Sequence, residues 1–138
     1  MKKQLILLVV SFAMLLEAID TTILNTAIPS MAQSLKVNPL DLKLALISYL
    51  LSLSLFIPIS GWLADKFGLK KVFIFALGLF TISSIACGFT QNLWQLIIAR
   101  FLQGMGGSLT MPVGRLIILR IFARHELIAK MSIVIMVA

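Results

Sequence analysis

Four apolar runs long enough to cross a membrane limit this chain more than any other feature in it. They cover about Leu5 to Ile28, Leu44 to Ala64, Val72 to Phe89 and Leu93 to Leu119. A helix needs about 20 mostly apolar residues to cross ~30 Å of hydrocarbon, and within lipid every backbone N–H and C=O must be satisfied internally. Helices meet that demand and irregular chain does not. The expected fold is an all-α membrane protein: four transmembrane helices plus the start of a fifth at Met131 to Ala138, a run too short to span. The joints are short and polar: Lys36 to Asp41, Asp65 to Lys71, Thr90 to Asn92, and Arg120 to Glu126. None could hold a second domain, so residues 1–138 read as one unit that stops inside an element.

Composition removes the soluble alternatives. With 60% hydrophobic and 12% charged residues, and a mean hydropathy of +1.07, there is too little polar surface to clothe a soluble globule. The net charge of +7 does not point to nucleic acid, because the cations cluster between apolar runs instead of lining one solvated face. Lys2 and Lys3 precede the first run, Lys66, Lys70 and Lys71 join the second to the third, and Arg120, Arg124 and Lys130 follow the fourth. Only Lys36 and Lys43 lie on the other side. The positive-inside rule then puts the N-terminus in the cytoplasm, with Trp62 and Trp94 near opposite interfaces. Lys2-Lys3 and Leu5 to Leu16 also resemble the start of a signal peptide, but the run resumes at Ile23 and three more follow, which favours a retained helix. The one cysteine, Cys87, allows no disulfide or thiolate metal site and reads as a buried small residue.

Charges inside the runs carry most of the functional information. Glu17 and Asp20 lie in the first run and Arg100 in the fourth, where facing lipid would cost several kcal/mol, so each is expected to face the bundle or an aqueous cavity. At 1.5 Å per residue Asp20 lies roughly 22 Å beyond Leu5, leaving about 8 Å of hydrocarbon, and Arg100 lies roughly 10 Å beyond Leu93 from the far side. If the two helices are neighbours, an ion pair between Arg100 and Asp20 or Glu17 is sterically reasonable. The acids stand one turn apart and cannot both carry charge cheaply unless a cation is near. Glu17 or Arg100 could instead merely fasten one helix to another. Arg115 and Arg120 sit near a helix end, where long side chains reach the headgroups. Gly104, Gly106, Gly107 and Ser108 allow close backbone approach, while Pro112, like Pro58, removes a helical hydrogen bond and suggests a bend.

Three segments resemble a known family. Gly61-Trp62-Leu63-Ala64-Asp65-Lys66-Phe67-Gly68-Leu69-Lys70-Lys71 is similar to the signature loop between helices two and three of the major facilitator superfamily. Arg100-Phe101-Leu102-Gln103-Gly104-Met105-Gly106-Gly107 resembles its fourth-helix motif. Asp20-Thr21-Thr22-Ile23-Leu24-Asn25-Thr26-Ala27-Ile28-Pro29 resembles the first-helix pattern of its fourteen-span drug:proton antiporters, and Pro112-Val113-Gly114-Arg115-Leu116 resembles bacterial multidrug-resistance members. The resemblance implies a transporter whose two bundles alternate around a central cavity. It implies that Gly61, Asp65, Lys66, Gly68, Lys70 and Lys71 form a cytoplasmic gating loop, that Asp20 and Arg100 take part in proton coupling, and that Asn25, Gln103, Gly104, Gly106, Gly107 and Pro112 serve packing or the cavity. Glu17 is assigned to proton coupling beside them, although it lies outside the family pattern. The family's fifth-helix antiporter motif belongs beyond Ala138.

The expected function is proton-coupled export of drugs or other small molecules across the inner membrane, by a protein of which this chain is the N-terminal piece and which does not transport alone. Partners are the lipid bilayer, protons, an amphipathic small-molecule substrate, and the remaining spans in cis or in trans. Nucleic acid, cofactors and metals are not among them. Two alternatives are a four-helix dimeric efflux protein of the small multidrug resistance type and a non-transporting membrane subunit. An enzyme is disfavoured: the only histidine, His125, stands in a charged joint, with no nucleophile–base or metal-ligand cluster in view.

Overall fold

The computed structural model describes residues 2–137 and is all-α. Its helices are α1 (Lys2–Leu35), α2 (Pro39–Phe67), α3 (Leu69–Gly88), α4 (Leu93–Ile121) and α5 (Arg124–Val137). Asn38 and Asn92 start α2 and α4. The Asn38 Oδ1 accepts from the Leu40 N–H at 3.0 Å with Pro39 in the first turn. The Asn92 Oδ1 accepts from the Gln95 N–H at 2.9 Å, while the Gln95 side chain reaches back to the Gln91 N–H at 3.0 Å. These bonds satisfy N–H groups that a helix start otherwise leaves unpaired.

Several boundaries differ from the sequence reading: α2 begins at Pro39, five residues before Leu44, and α2 and α3 extend to Phe67 and Leu69 inside the joint expected at Asp65 to Lys71. α1 runs through Pro29 to Leu35, past the expected end at Ile28. α5 begins at Arg124, seven residues before the apolar stretch, because Glu126 suits the positive end of a helix and the Ala123 carbonyl accepts from the Glu126 and Leu127 N–H groups. The final residue of that expected run, Ala138, lies outside the described residues.

Three helices, α1, α2 and α3, are long and apolar enough to span a membrane. The fourth expected span is helical over 29 residues, as long as α2, but is not among them. The physical reason is that much of α4 packs among the other helices, so its run holds polar residues that lipid would not accept. Arg100, Gln103, Ser108 and Thr110 are all buried, so protein and not hydrocarbon surrounds their polar atoms. Its glycines show how close the neighbours come. A methyl at Gly104 would stand 2.6 Å from the Tyr49 carbonyl of α2; at Gly106 it would stand 2.7 Å from the Phe80 nitrogen of α3. At Gly114 it would meet Val10 and Met14 of α1 at 3.0 and 3.2 Å. Small residues thus let α4 touch all three spans. The Ser48 hydroxyl adds a bond to the Ile97 carbonyl at 3.0 Å.

Around α4 a main apolar core joins Leu7, Val10, Met14, Phe73, Val113 and Ile118, and Val134 of α5 packs into it. The opposite surfaces carry large apolar side chains such as Leu8, Phe12, Phe75, Ile82 and Ile98, each at least 60% exposed. Such a coat suits lipid and not water. α4 continues without interruption through Pro112, as α2 does through Pro58.

Candidate functional site

α1 and α4 bring together two residues 80 positions apart. Arg100 Nη1 donates to Asp20 Oδ2 at 2.7 Å, with the side chains only 7% and 17% exposed. Two desolvated charges are tolerable there because each neutralises the other; removing one partner of such a pair costs about 3–5 kcal/mol. Arg100 Nε has no hydrogen-bond partner. One turn further along α4, Gln103 is fully buried, accepts from the Cys87 thiol at 3.6 Å and leaves its Nε2 unpartnered. Cys87 is half-buried, packs against a second apolar cluster around Leu42, Ala45 and Leu96, and donates its thiol to this glutamine.

Glu17 does not join this pair. Three residues before Asp20, it points about 60° away around the helix and lies against α4 and α2. It is 5% exposed, and its Oε2 has no hydrogen-bond partner. A methyl at Gly107 would stand 2.8 Å from Glu17 Oε1 and 3.3 Å from the Tyr49 hydroxyl, which places the acid and the phenol beside one glycine. These residues close one end of a cleft of about 850 Å³ between α1, α2 and α4, walled by Leu53, Ile57, Met111 and Leu116. Pro112 and Gly107 also line it, and Arg115 stands towards its other end. Sequence reasoning missed Tyr49. Its signal was available: it is the one tyrosine in the chain, and a phenol in mid-span needs a polar neighbour.

The loop motif lies at one end of the bundle. Gly68 has φ 90°, a conformation that side chains resist, and it lets α2 end and α3 begin across a single residue. Its N–H bonds the Ala64 carbonyl at 3.0 Å and its carbonyl accepts from Val72 at 3.1 Å. Asp65 reaches Arg120 of α4 at 3.7 Å, both exposed, a pair worth about 0–1 kcal/mol. Lys66 lies over the Trp62 ring at 4.6 Å, and Lys70 and Lys71 lie beside it at the start of α3. A methyl added at Gly61 would meet nothing within 4 Å, so its place in the motif has no packing reason here. Asn25 is exposed and does not line the cleft. Trp94 is exposed at the opposite end of the bundle, where α4 begins.

Residues 10–138 match the family model described as Major Facilitator Superfamily. The chain belongs to that superfamily. Similar to it are the putative multidrug resistance proteins MdtD of Shigella flexneri, 45% identical over 126 residues, and of Escherichia fergusonii, 44% identical over 126 residues. In both cases 91% of this chain is covered but only 27% of the relative. The chain therefore spans about a quarter of the length of these relatives. As a facilitator with apolar helices it is a multi-pass membrane protein, and it groups with transporters instead of enzymes.

Proposed function

We propose that the chain forms part of the N-terminal bundle of a proton-coupled facilitator that exports drugs or related small molecules across the inner membrane, with its N-terminus in the cytoplasm. The single observation that carries the coupling scheme is the buried Arg100–Asp20 pair. Asp20 can be neutralised in two ways, by the arginine or by a proton. A movement that parts α1 from α4 exchanges the first for the second, and the reverse movement releases the proton. Cargo that binds one arrangement better than the other shifts the same equilibrium, which ties proton flux to export. Asp65, Lys66, Lys70 and Lys71, grouped at one end with Arg120, act in this scheme as a latch whose weak contacts can be broken and remade. The multidrug resistance designation of the MdtD relatives supports drugs as the cargo class.

The test uses a complete transporter carrying this sequence as its first 138 residues. In proteoliposomes, an imposed pH gradient should drive movement of an amphipathic fluorescent drug, and a protonophore should stop it. Arg100→Ala should cut the gradient-driven rate at least tenfold. Drug movement that is indifferent to the gradient and to this substitution would refute the scheme.

A further inference from the structure

We propose that a groove between α1, α3 and α4 binds an anionic phospholipid, with Lys2, Lys70 and Arg120 around its headgroup and an acyl chain laid along the groove. The groove has a volume of about 490 Å³ and exists because α1 and α3 both pack on α4 but hardly on each other. Its floor belongs to the core: Val10 of α1, Phe73 of α3 and Ile117 of α4 are each no more than 9% exposed. Its rims are Val9 and Ile74, which are exposed. Three cations are the whole of its polar lining, and no acid, amide or hydroxyl side chain stands among them. It shares no lining residue with the cleft between α1, α2 and α4.

That lining sets two properties of the ligand. Walls without a hydrogen-bonding group accept hydrocarbon and offer a sugar, a nucleotide or a peptide backbone nothing to replace its water. Three cations call for an anion and repel an organic cation. Arg120 has Asp65 beside it at 3.7 Å, but among the described residues Lys2 and Lys70 have no acid within 4 Å, so the groove keeps a positive excess. All three cations are exposed, and long basic side chains at a helix end reach the headgroup level. Depth agrees with charge. Val9 lies about 10 Å along α1 from Lys2, and Ile74 about 6 Å along α3 from Lys70, so a ligand anchored at the cations lays its tail towards the hydrocarbon. A basic pocket between spans suits a phosphate headgroup, and the bilayer is the one source in which phosphate and hydrocarbon come joined. A lipid seated there would also bridge α1 and α3, which have little contact of their own.

The experiment reads lipid binding at the groove itself. In a Trp62→Phe, Trp94→Phe background, Ile74→Trp places a fluorescent reporter on the rim, and Ile59→Trp places a control on an exposed position of α2 outside the groove. Each chain is reconstituted with rising fractions of brominated phosphatidylglycerol or brominated phosphatidylcholine, whose bromines quench tryptophan. Phosphatidylglycerol should bind at Ile74→Trp about fivefold or more tightly than phosphatidylcholine, and within about twofold of it at Ile59→Trp. Adding Lys2→Gln together with Lys70→Gln should bring the ratio at Ile74→Trp to within about twofold. Lys3→Gln, which removes a neighbouring charge outside the groove, should leave the ratio unchanged. Soluble glycerol 3-phosphate should not displace the lipid. A second measurement uses the unaltered chain: released from micelles holding the two lipids in equal amounts, it should retain phosphatidylglycerol in preference by native mass spectrometry. In a complete transporter bearing this sequence, the Ile74→Trp reporter should show the same preference. Equal ratios at the two reporters, a preference that survives the double substitution or falls as far with Lys3→Gln, displacement by glycerol 3-phosphate, or release of the unaltered chain without preference would each overturn the proposal. So would a complete transporter in which neither lipid quenches Ile74→Trp, because another span then fills the groove. None of these readings requires transport, so the lipid site and the coupling scheme stand or fall separately.

Discussion

At the scale of single residues, the glycines of α3 and α4 differ in how firmly their neighbours require them. Gly106 is required by backbone, because a methyl would strike the Phe80 nitrogen at 2.7 Å and the Ala76 carbonyl at 2.9 Å, and backbone in α3 cannot swing aside. Gly114 faces side-chain ends at 3.0 and 3.2 Å, which can shift by a few tenths of an ångström. Gly78 of α3 has open space. In thermal unfolding of the purified chain in detergent, Gly106→Ala should therefore lower stability by about 1–3 kcal/mol, as overpacking does, and Gly114→Ala by less. Gly78→Ala should be neutral or stabilising by up to about 1 kcal/mol, because alanine is the better helix former. An equal loss at all three would mean that α4 does not pack as closely as described. The same scale separates the two acids of α1. Their spacing of three makes a shared partner reasonable, and depth along the helices matches Asp20 to Arg100. That Glu17 turns instead to Tyr49 and Gly107 depends on how α1 is rotated against α2, which spacing along one helix does not encode.

At the scale of elements, the positions of the helices are legible in the sequence because hydrocarbon leaves a chain so few options. The ends are less so. The first apolar run ends at Ile28, but α1 continues through Pro29 to Leu35, since a helix can outlast its apolar stretch. Arg124, His125 and Glu126 read as a joint because they are charged, yet charged residues are ordinary in a first helical turn. Apolar length overstates α4 as a lipid-facing span for a related reason: its run is interrupted by residues that protein, not lipid, surrounds. The joints themselves carry a prediction. α1 to α2 and α3 to α4 turn at one end of the bundle and α2 to α3 at the other, and the cations crowd the latter. In a Cys87→Ala background, cysteines at Asn38 and Asn92 should react with an impermeant thiol reagent added to intact cells, and Lys70→Cys should not. Labelling of Lys70→Cys from outside would reverse the proposed orientation.

At the scale of the whole molecule, α4 is the axis on which the other spans are arranged, and it carries the cation that holds Asp20 inside the bundle. A purely structural pair would fasten α1 to α4 once and for all. A coupling pair must instead be exchangeable, so that a proton takes the place of Arg100 when the helices part. The distinction cannot be drawn from stability alone, because losing either partner destabilises both kinds of pair. It can be drawn from the energetics of transport, since only a coupling residue sets how the rate depends on the proton gradient. The deciding measurement is the drug export rate of a complete transporter bearing this N-terminal sequence, followed in proteoliposomes across a series of imposed pH gradients, for the unaltered protein and for Asp20→Asn. The account predicts that Asp20→Asn binds drug but exports it at a rate that no longer rises with the gradient. An Asp20→Asn protein whose export keeps the unaltered dependence on the gradient would contradict it and leave Asp20 a structural residue.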